Sequence, residues 1–214
     1  MGIKTKSHFR AKELVIIGIF ATLTAVMAQI AIPIPFSPAP VSFGMVGVYM
    51  TAMLLKPKHA VFAQVCYLLL GAVGLPVFGN LRGGIGVLVG PTGGYLITYP
   101  LMALIVSVSL NSRYSRQKEL FQRKIWSFLK AGCSMCIAHV VLYLGGTAWL
   151  SISTNITFHA ALTIAVYPFI LLDAFKLIFC IVAVVPFRSY MLSLNVLLMD
   201  EGISERHEKN QHEK

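Results

Sequence analysis

Leu171-Leu172-Asp173-Ala174-Phe175-Lys176-Leu177 lies at the centre of AALTIAVYPFILLDAFKLIFCIVAVVPF, Ala160 to Phe187, a run that is apolar on both sides of two opposite charges. The charges are spaced i, i+3, so on a helix both side chains project to nearly the same face. The length and apolarity of the run read as a membrane span. Near the middle of a span each lone charge is costly even on the more lenient insertion scale. Lys176 does not escape by snorkelling, because Arg188, the marker of the interface, is 12 residues further on, about 18 Å at the helical rise. The pair is therefore satisfied inside a bundle, either as an ion pair locking two helices or by a ligand. Intramembrane charges are functional by default.

The rest of the chain has the same character. Of its 214 residues, 57% are hydrophobic and only 12% charged, which is too apolar for an ordinary soluble domain and indicates a polytopic membrane protein. Apolar runs bounded by charges, prolines or glycine clusters give six spans: 14–32, 39–55, 59–77, 91–110, 131–150 and 160–187. The second and third are short and broken by glycine. The expected organisation is a basic cytoplasmic N-terminus over 1–13, an all-α membrane domain of six transmembrane helices over 14–187, and a cytoplasmic interfacial segment and tail over 188–214.

The basic residues test that count independently. Sixteen of the 18 Lys and Arg fall before span one, between spans two and three, between four and five, or after six. The alternate loops hold only Arg82, and Lys176 is intramembrane. The positive-inside rule then places both termini in the cytoplasm of a multi-pass protein of the cell membrane. The net charge of +10 is a topology signal and not a nucleic-acid patch, because the bases are scattered over four segments without interleaved stacking aromatics. The four cysteines, 66, 133, 136 and 180, all fall within spans. They imply neither a disulfide framework nor, despite the Cys133-Ser134-Met135-Cys136 spacing, a metal or redox site. A signal peptide ending near Val26-Met27-Ala28 is disfavoured by an apolar run of about 19 residues, longer than such regions normally are.

Within the first span, Ala21 and Ala25 have the small-xxx-small spacing that lets a helix approach closely, either inside the chain or from a partner. Gln29, the span's one amide, faces a pocket or water. Pro33-Ile34-Pro35-Phe36-Ser37-Pro38-Ala39-Pro40 is stiff and extended and continues neither helix; it is a rigid lid whose Phe36 covers a site, or a short turn. From Gly71 to Gly94 there are nine of the 17 glycines in 24 residues, GAVGLPVFGNLRGGIGVLVGPTGG. Backbone this permissive near membrane depth is buried in protein or lines a cavity. Neither GxxxxGK[ST] nor GxGxxG spacing occurs, so nothing points to ATP hydrolysis by this chain.

Asn80 and Arg82 are the polar groups of that loop, and an arginine fork there can clamp a carboxylate or simply face solvent. Tyr95 opens the fourth span, and Pro100 is expected to kink it. Trp126 and Trp149 flank the fifth span where an aromatic belt is expected. His139 within it reads as hydrogen-bonded packing, since a lone histidine makes no metal site. Asn155-Ile156-Thr157 has the sequon form but reads as a turn. One Asp with one Lys supplies neither a nucleophile nor a metal constellation, so an enzyme is not expected.

Taken in order, IPIPFSPAPVSF after the first helix, LLGAVGLPVFGNLRGGIGVLVGPTGGYL across helices three and four, and YPFILLDAFK in the sixth resemble the BioY family, the biotin-binding S components of energy-coupling factor (ECF) transporters. The resemblance covers roughly 14–187. It implies a six-helix S-component fold that captures biotin from outside and is energised by a transmembrane coupling (T) subunit and a pair of ATPases on other chains. The family's acidic and basic pair falls on Asp173 and Lys176, and its loop polar groups fall on Asn80 and Arg82. The small residues Ala21 and Ala25 would face the coupling subunit. Where relatives often have a more glycine-rich stretch after GLPVF, this chain has Gly79-Asn80-Leu81-Arg82.

Biotin's chemistry matches these residues. Asp173 can accept from a ureido N–H, Lys176 can donate to the ureido carbonyl, and Arg82 can pair with the carboxylate. Phe36, Phe78, Tyr95 and Gln29 complete the expected site. No cofactor or metal is implied. An S component for another vitamin and a stand-alone secondary carrier are the alternatives.

Overall fold

The computed structural model describes residues 11–32, 40–111 and 120–193, without the side chains of 111, 120–127 and 189–193. Phe36 and the lid assigned to it, the Trp126 side chain, the bases at 4, 6, 10, 113, 116 and 118, and the tail from 194 lie outside the described residues.

Helix α1 (Ala11–Gln29) leads through β1 (Ala31–Ile32) and β2 (Val41–Ser42) into α2 (Gly44–Leu54) and α3 (Pro57–Ala72). The short α4 (Ile85–Val89) and α5 (Gly93–Ile97) precede α6 (Tyr99–Asn111), and α7 (Leu120–Thr154), α8 (Phe158–Ala165) and α9 (Ile170–Ser193) complete the chain. The strands pair antiparallel, Ala31 opposite Ser42 and Ile32 opposite Val41.

Among the described residues, four stretches are long and apolar enough to cross a membrane: Ala11–Gln29, Gly93–Leu110, Phe128–Thr154 and Ile170–Arg188. Helices α2, of 11 residues, and α3, of 16, reach about 16 and 24 Å at the helical rise, short of a bilayer core of about 30 Å. Helix α2 is buried on nearly every side and packs against α1, α3, α6 and α9, so its all-round apolarity reflects protein neighbours rather than lipid.

Three expectations change. The sixth run is two helices and not one, because Tyr167-Pro168 interrupts it and α9 begins only at Ile170; proline lacks the N–H that would continue the ladder. Asp173 consequently sits in the first turn of α9, where the positive end of the helix dipole favours an anion, and not at the middle of a span. The fourth run is interrupted at Thr98, two residues before Pro100, but Thr98 keeps helical dihedrals, so the ladder loses a bond without the chain leaving the helix.

The third concerns helix one. Ala21 has no exposed surface and lies on the buried stripe Ile17, Ala21, Thr24 and Ala28, while Ala25 is half-buried. That stripe faces α2 and α3, and Gln64 Nε2 of α3 donates to Thr24 Oγ1 at 3.1 Å. The small residues therefore bring the chain's own helices together, and Ala21 is not presented to a partner.

Two polar devices fasten the ends of the bundle. Arg188 Nε donates to the Met53 carbonyl at 2.6 Å and its Nη2 to the Leu110 carbonyl at 3.2 Å. One guanidinium thus caps the C-terminal ends of α2 and α6 and ties both to α9, the charge sign that helix C-termini favour. At the other end of α7, Asn155 adopts left-handed φ of 53° and the Ile156 N–H returns to Ser151 O at 3.2 Å. The expected turn there is a helix C-cap.

Candidate substrate-binding site

A cleft enclosing about 860 Å³, part of it open solvent at the mouth, lies at the end of the bundle away from the start of α1. Its walls come from nearly every element: Ser42 and Met45 at the entry to α2, Tyr67 of α3, Phe78, Gly79 and Arg82 of the glycine-rich loop, Tyr95 and Leu96 of α5, Tyr99 of α6, Leu142 and Tyr143 of α7, and Phe169, Asp173 and Lys176 at the start of α9.

Asp173 and Lys176 form its charged floor. Both are 3% exposed, and Lys176 Nζ donates to Asp173 Oδ1 at 2.9 Å. The ammonium also donates to the Ser42 carbonyl at 2.9 Å and lies 5.6 Å from the centre of the Phe43 ring. On the other carboxylate oxygen, Tyr143 O–H donates to Oδ2 at 2.7 Å, and His139 Nε2 stands 3.4 Å away. The pair thus joins α9 to both the α2 entry and α7 while it faces the cleft.

Capacity remains on both groups. An ammonium has three N–H donors and two are used; a carboxylate has about four acceptor positions and Oδ1, Oδ2 engage three neighbours. What is left is one donor and one acceptor, side by side, in a largely apolar chamber.

The apolar walls are aromatic. Tyr67 and Tyr99 stack with ring centres 6.2 Å apart, and Phe78 meets Tyr67 edge-on at 5.5 Å. Phe78 is buried because its ring lies directly over Gly71, where any Cβ would collide with it. Tyr95 is set by the same means against Gly146 of α7, and its hydroxyl shares a hydrogen bond with Thr147 at 3.3 Å.

Arg82 lines the cleft from its rim. Its backbone pairs with Phe78 in both directions, at 2.9 and 3.2 Å, which turns the loop back on itself. Asn80 and Leu81 at the tip take left-handed φ of 61° and 56°. The Arg82 side chain is exposed and makes no hydrogen bond or ion pair among the described residues.

The structure therefore brings together Asp173, Lys176, Arg82, Tyr95 and Phe78 of the expected set. Gln29 is not a wall of the cleft. The two hydrogens of its Nε2 are shared among the carbonyls of Ala25, Pro76 and Phe78, at 3.2, 3.3 and 3.2 Å, and its Oε1 accepts from Leu81 N–H at 3.0 Å, so it grips the loop that carries Phe78 and Arg82. Asn80 is exposed at the loop tip and also lies off the walls. Trp149 is an internal fastener and not a free belt residue, donating its indole N–H to Gly90 O at 2.9 Å.

Sequence reasoning does not pick out Ser42, Tyr143, Tyr67 and Tyr99 as wall residues, whereas His139, expected as hydrogen-bonded packing, is buried and lies 3.1 Å from the Tyr49 hydroxyl. One signal was present: His139 and Tyr143 are spaced i, i+4 and share a helix face, edge to face with ring centres 4.4 Å apart. The Ser42 carbonyl left none, since a backbone acceptor carries no residue signature.

Comparison with known proteins places these features in context. Residues 3–192 match the model of the BioY family. The "Biotin transporter BioY2" of Lactococcus lactis subsp. cremoris is 32% identical over 166 residues, spanning 78% of this chain and 84% of that protein. The "Biotin transporter BioY" of Thermotoga maritima is 34% identical over 167 residues, covering 78% and 90%. Among solved structures, that of the S-component for biotin from an ECF-type ABC transporter superposes with a TM-score of 0.67 at 27% identity, covering 83% of this chain and 91% of the other.

Proposed function

The chain belongs to the BioY family, and from that premise we propose that it captures biotin as the substrate-specific S component of an ECF-type transporter. The observation that carries the reading is the cleft floor: a buried carboxylate and ammonium 2.9 Å apart, each with one position to spare, face an aromatic chamber with an unpaired guanidinium at its rim. Biotin has the complementary order of groups. Its ureido ring offers N–H to Asp173 and a carbonyl to Lys176, its fused rings and tail pack on Phe78 and Tyr95, and its carboxylate reaches Arg82.

Because buried polar groups left unpaired are heavily penalised, a ligand lacking either ureido function is rejected more strongly than one altered in its apolar part. Asn80 and Gln29 shape the loop and do not touch the ligand. The protein spans the cytoplasmic membrane with both termini inside. The cleft then opens outward, since it lies at the end opposite Lys56, Lys58 and Arg188. A coupling subunit and ATPases on other chains supply the energy.

Two measurements test this reading. Mass spectrometry of the small molecule retained after purification in mild detergent is expected to find biotin; another vitamin there would reassign the substrate. Liposome uptake of labelled biotin is expected only when a coupling subunit and ATPases are co-reconstituted, and flux by this chain alone would make it a secondary carrier.

A further inference from the structure

Behind the cleft floor lies a second layer of polar groups that takes no direct part in the proposed contacts. His139 is buried in α7, its Nε2 is 3.4 Å from Asp173 Oδ2 and has no hydrogen-bond partner otherwise. Its Nδ1 lies 3.1 Å from the hydroxyl of Tyr49, a side chain of α2 with no exposed surface. The Tyr49 hydroxyl also approaches the Met135 carbonyl, at 3.4 Å.

A phenol has one hydrogen, and the neutral imidazole one donor nitrogen and one acceptor. If Tyr49 donated to Met135, Nδ1 would carry the ring hydrogen, and the Nε2 lone pair would point at a carboxylate oxygen with both groups buried. If Tyr49 donates to Nδ1, the shorter contact, the ring hydrogen sits on Nε2 and is aimed at Oδ2. Only the second arrangement leaves no lone pairs opposed.

We propose that His139 is a positioning residue for ligand recognition: with its tautomer set by Tyr49, it aims the Asp173 carboxylate at the cleft. Tyr143 and His139 together then hold Oδ2 from the α7 side while Lys176 holds Oδ1. The carboxylate plane is fixed, and its free acceptor position points to one place. A carboxylate held by Lys176 and Tyr143 alone could rotate away from that direction, and a misaligned hydrogen bond to a charged acceptor loses most of its strength. The inference rests on the proposal that biotin's ureido N–H meets Asp173.

The test uses the full chain in detergent, with calorimetric titration of biotin and of an analogue methylated on both ureido nitrogens, which keeps the carbonyl and has no N–H to give Asp173. In His139→Leu, biotin affinity falls about tenfold or more while the analogue changes little, so that discrimination between the two shrinks. A purely structural histidine would weaken both ligands alike and leave the ratio unchanged, which overturns the proposal.

His139→Gln and His139→Asn supply a check that does not depend on the apolar variant folding. The glutamine amide reaches the Nε2 position and restores most of the discrimination; the asparagine amide reaches only toward Tyr49 and does not. Equal behaviour of the two would also overturn the proposal. Wild-type protein that fails to bind biotin at all would instead remove the function on which the inference rests.

Discussion

Replacing Lys176 by methionine separates what the buried pair does for stability from what it does for the ligand. In the free protein the substitution removes two hydrogen bonds of 2.9 Å, to Asp173 and to the Ser42 carbonyl. It leaves a 3%-exposed carboxylate with only Tyr143 and His139 beside it. Breaking a buried pair in this one-sided way costs about 3–5 kcal/mol, so the ligand-free melting temperature falls. The ligand loses a charge-assisted bond to its carbonyl, worth about 1.5–3 kcal/mol. That alone is roughly a 10- to 150-fold loss of affinity, and the disturbed carboxylate adds to it.

The double variant Asp173→Asn, Lys176→Met decides between the two roles. It contains no uncompensated charge, so much of the lost stability returns; the ligand has now lost both charged partners, so binding stays weaker by roughly a hundredfold or more. Thermal shift without ligand and calorimetric titration with biotin read the two effects on the same preparations. If the double variant bound biotin within a few-fold of wild type, the pair would be a lock between helices and the ligand would sit elsewhere.

Three further outcomes follow from the geometry. Arg82→Gln should weaken biotin about three- to tenfold, a modest effect because the guanidinium is exposed and solvent screens it, while the methyl ester of biotin binds wild type and variant equally in competition titrations. Gln29→Leu frees the loop from α1 without touching the cleft, so the dissociation rate of biotin rises about tenfold with little change in association, measured by filter binding. Arg188→Met leaves the buried carbonyl ends of α2 and α6 without their cap, lowering stability by about 2–4 kcal/mol; biotin affinity, read at the opposite end of the bundle, stays within twofold.

Sequence and structure agree where chemistry is carried by a side chain in an improbable place. Two charges in an apolar run are conspicuous, and the cleft is built around them. Nine glycines in 24 residues mark a loop whose backbone approaches other elements closely. Agreement fails where the partner lies far along the chain or is backbone. Lys176 bonds a carbonyl 134 residues away, and Tyr143 meets Asp173 across two helices.

Residue type alone does not assign a role where it fits two uses. An amide near a span's end suits a ligand or a loop, and the pairing of Gln29 with three carbonyls and one N–H is visible only when the loop's path is known. An alanine pair suits any close helix contact, inside the chain or between chains. The break at Tyr167-Pro168 is marked in the sequence by its proline, and it puts Asp173 in the first turn of α9, where the helix dipole already favours its charge.

The most direct measurement is an experimental structure of the protein with biotin bound. In it the ureido ring is expected on the cleft floor, its carbonyl within hydrogen-bond distance of Lys176 Nζ and an N–H on Asp173, with the carboxylate at the Arg82 rim. Biotin in the reverse orientation, its carboxylate on Lys176, or outside this cleft altogether, would contradict that placement.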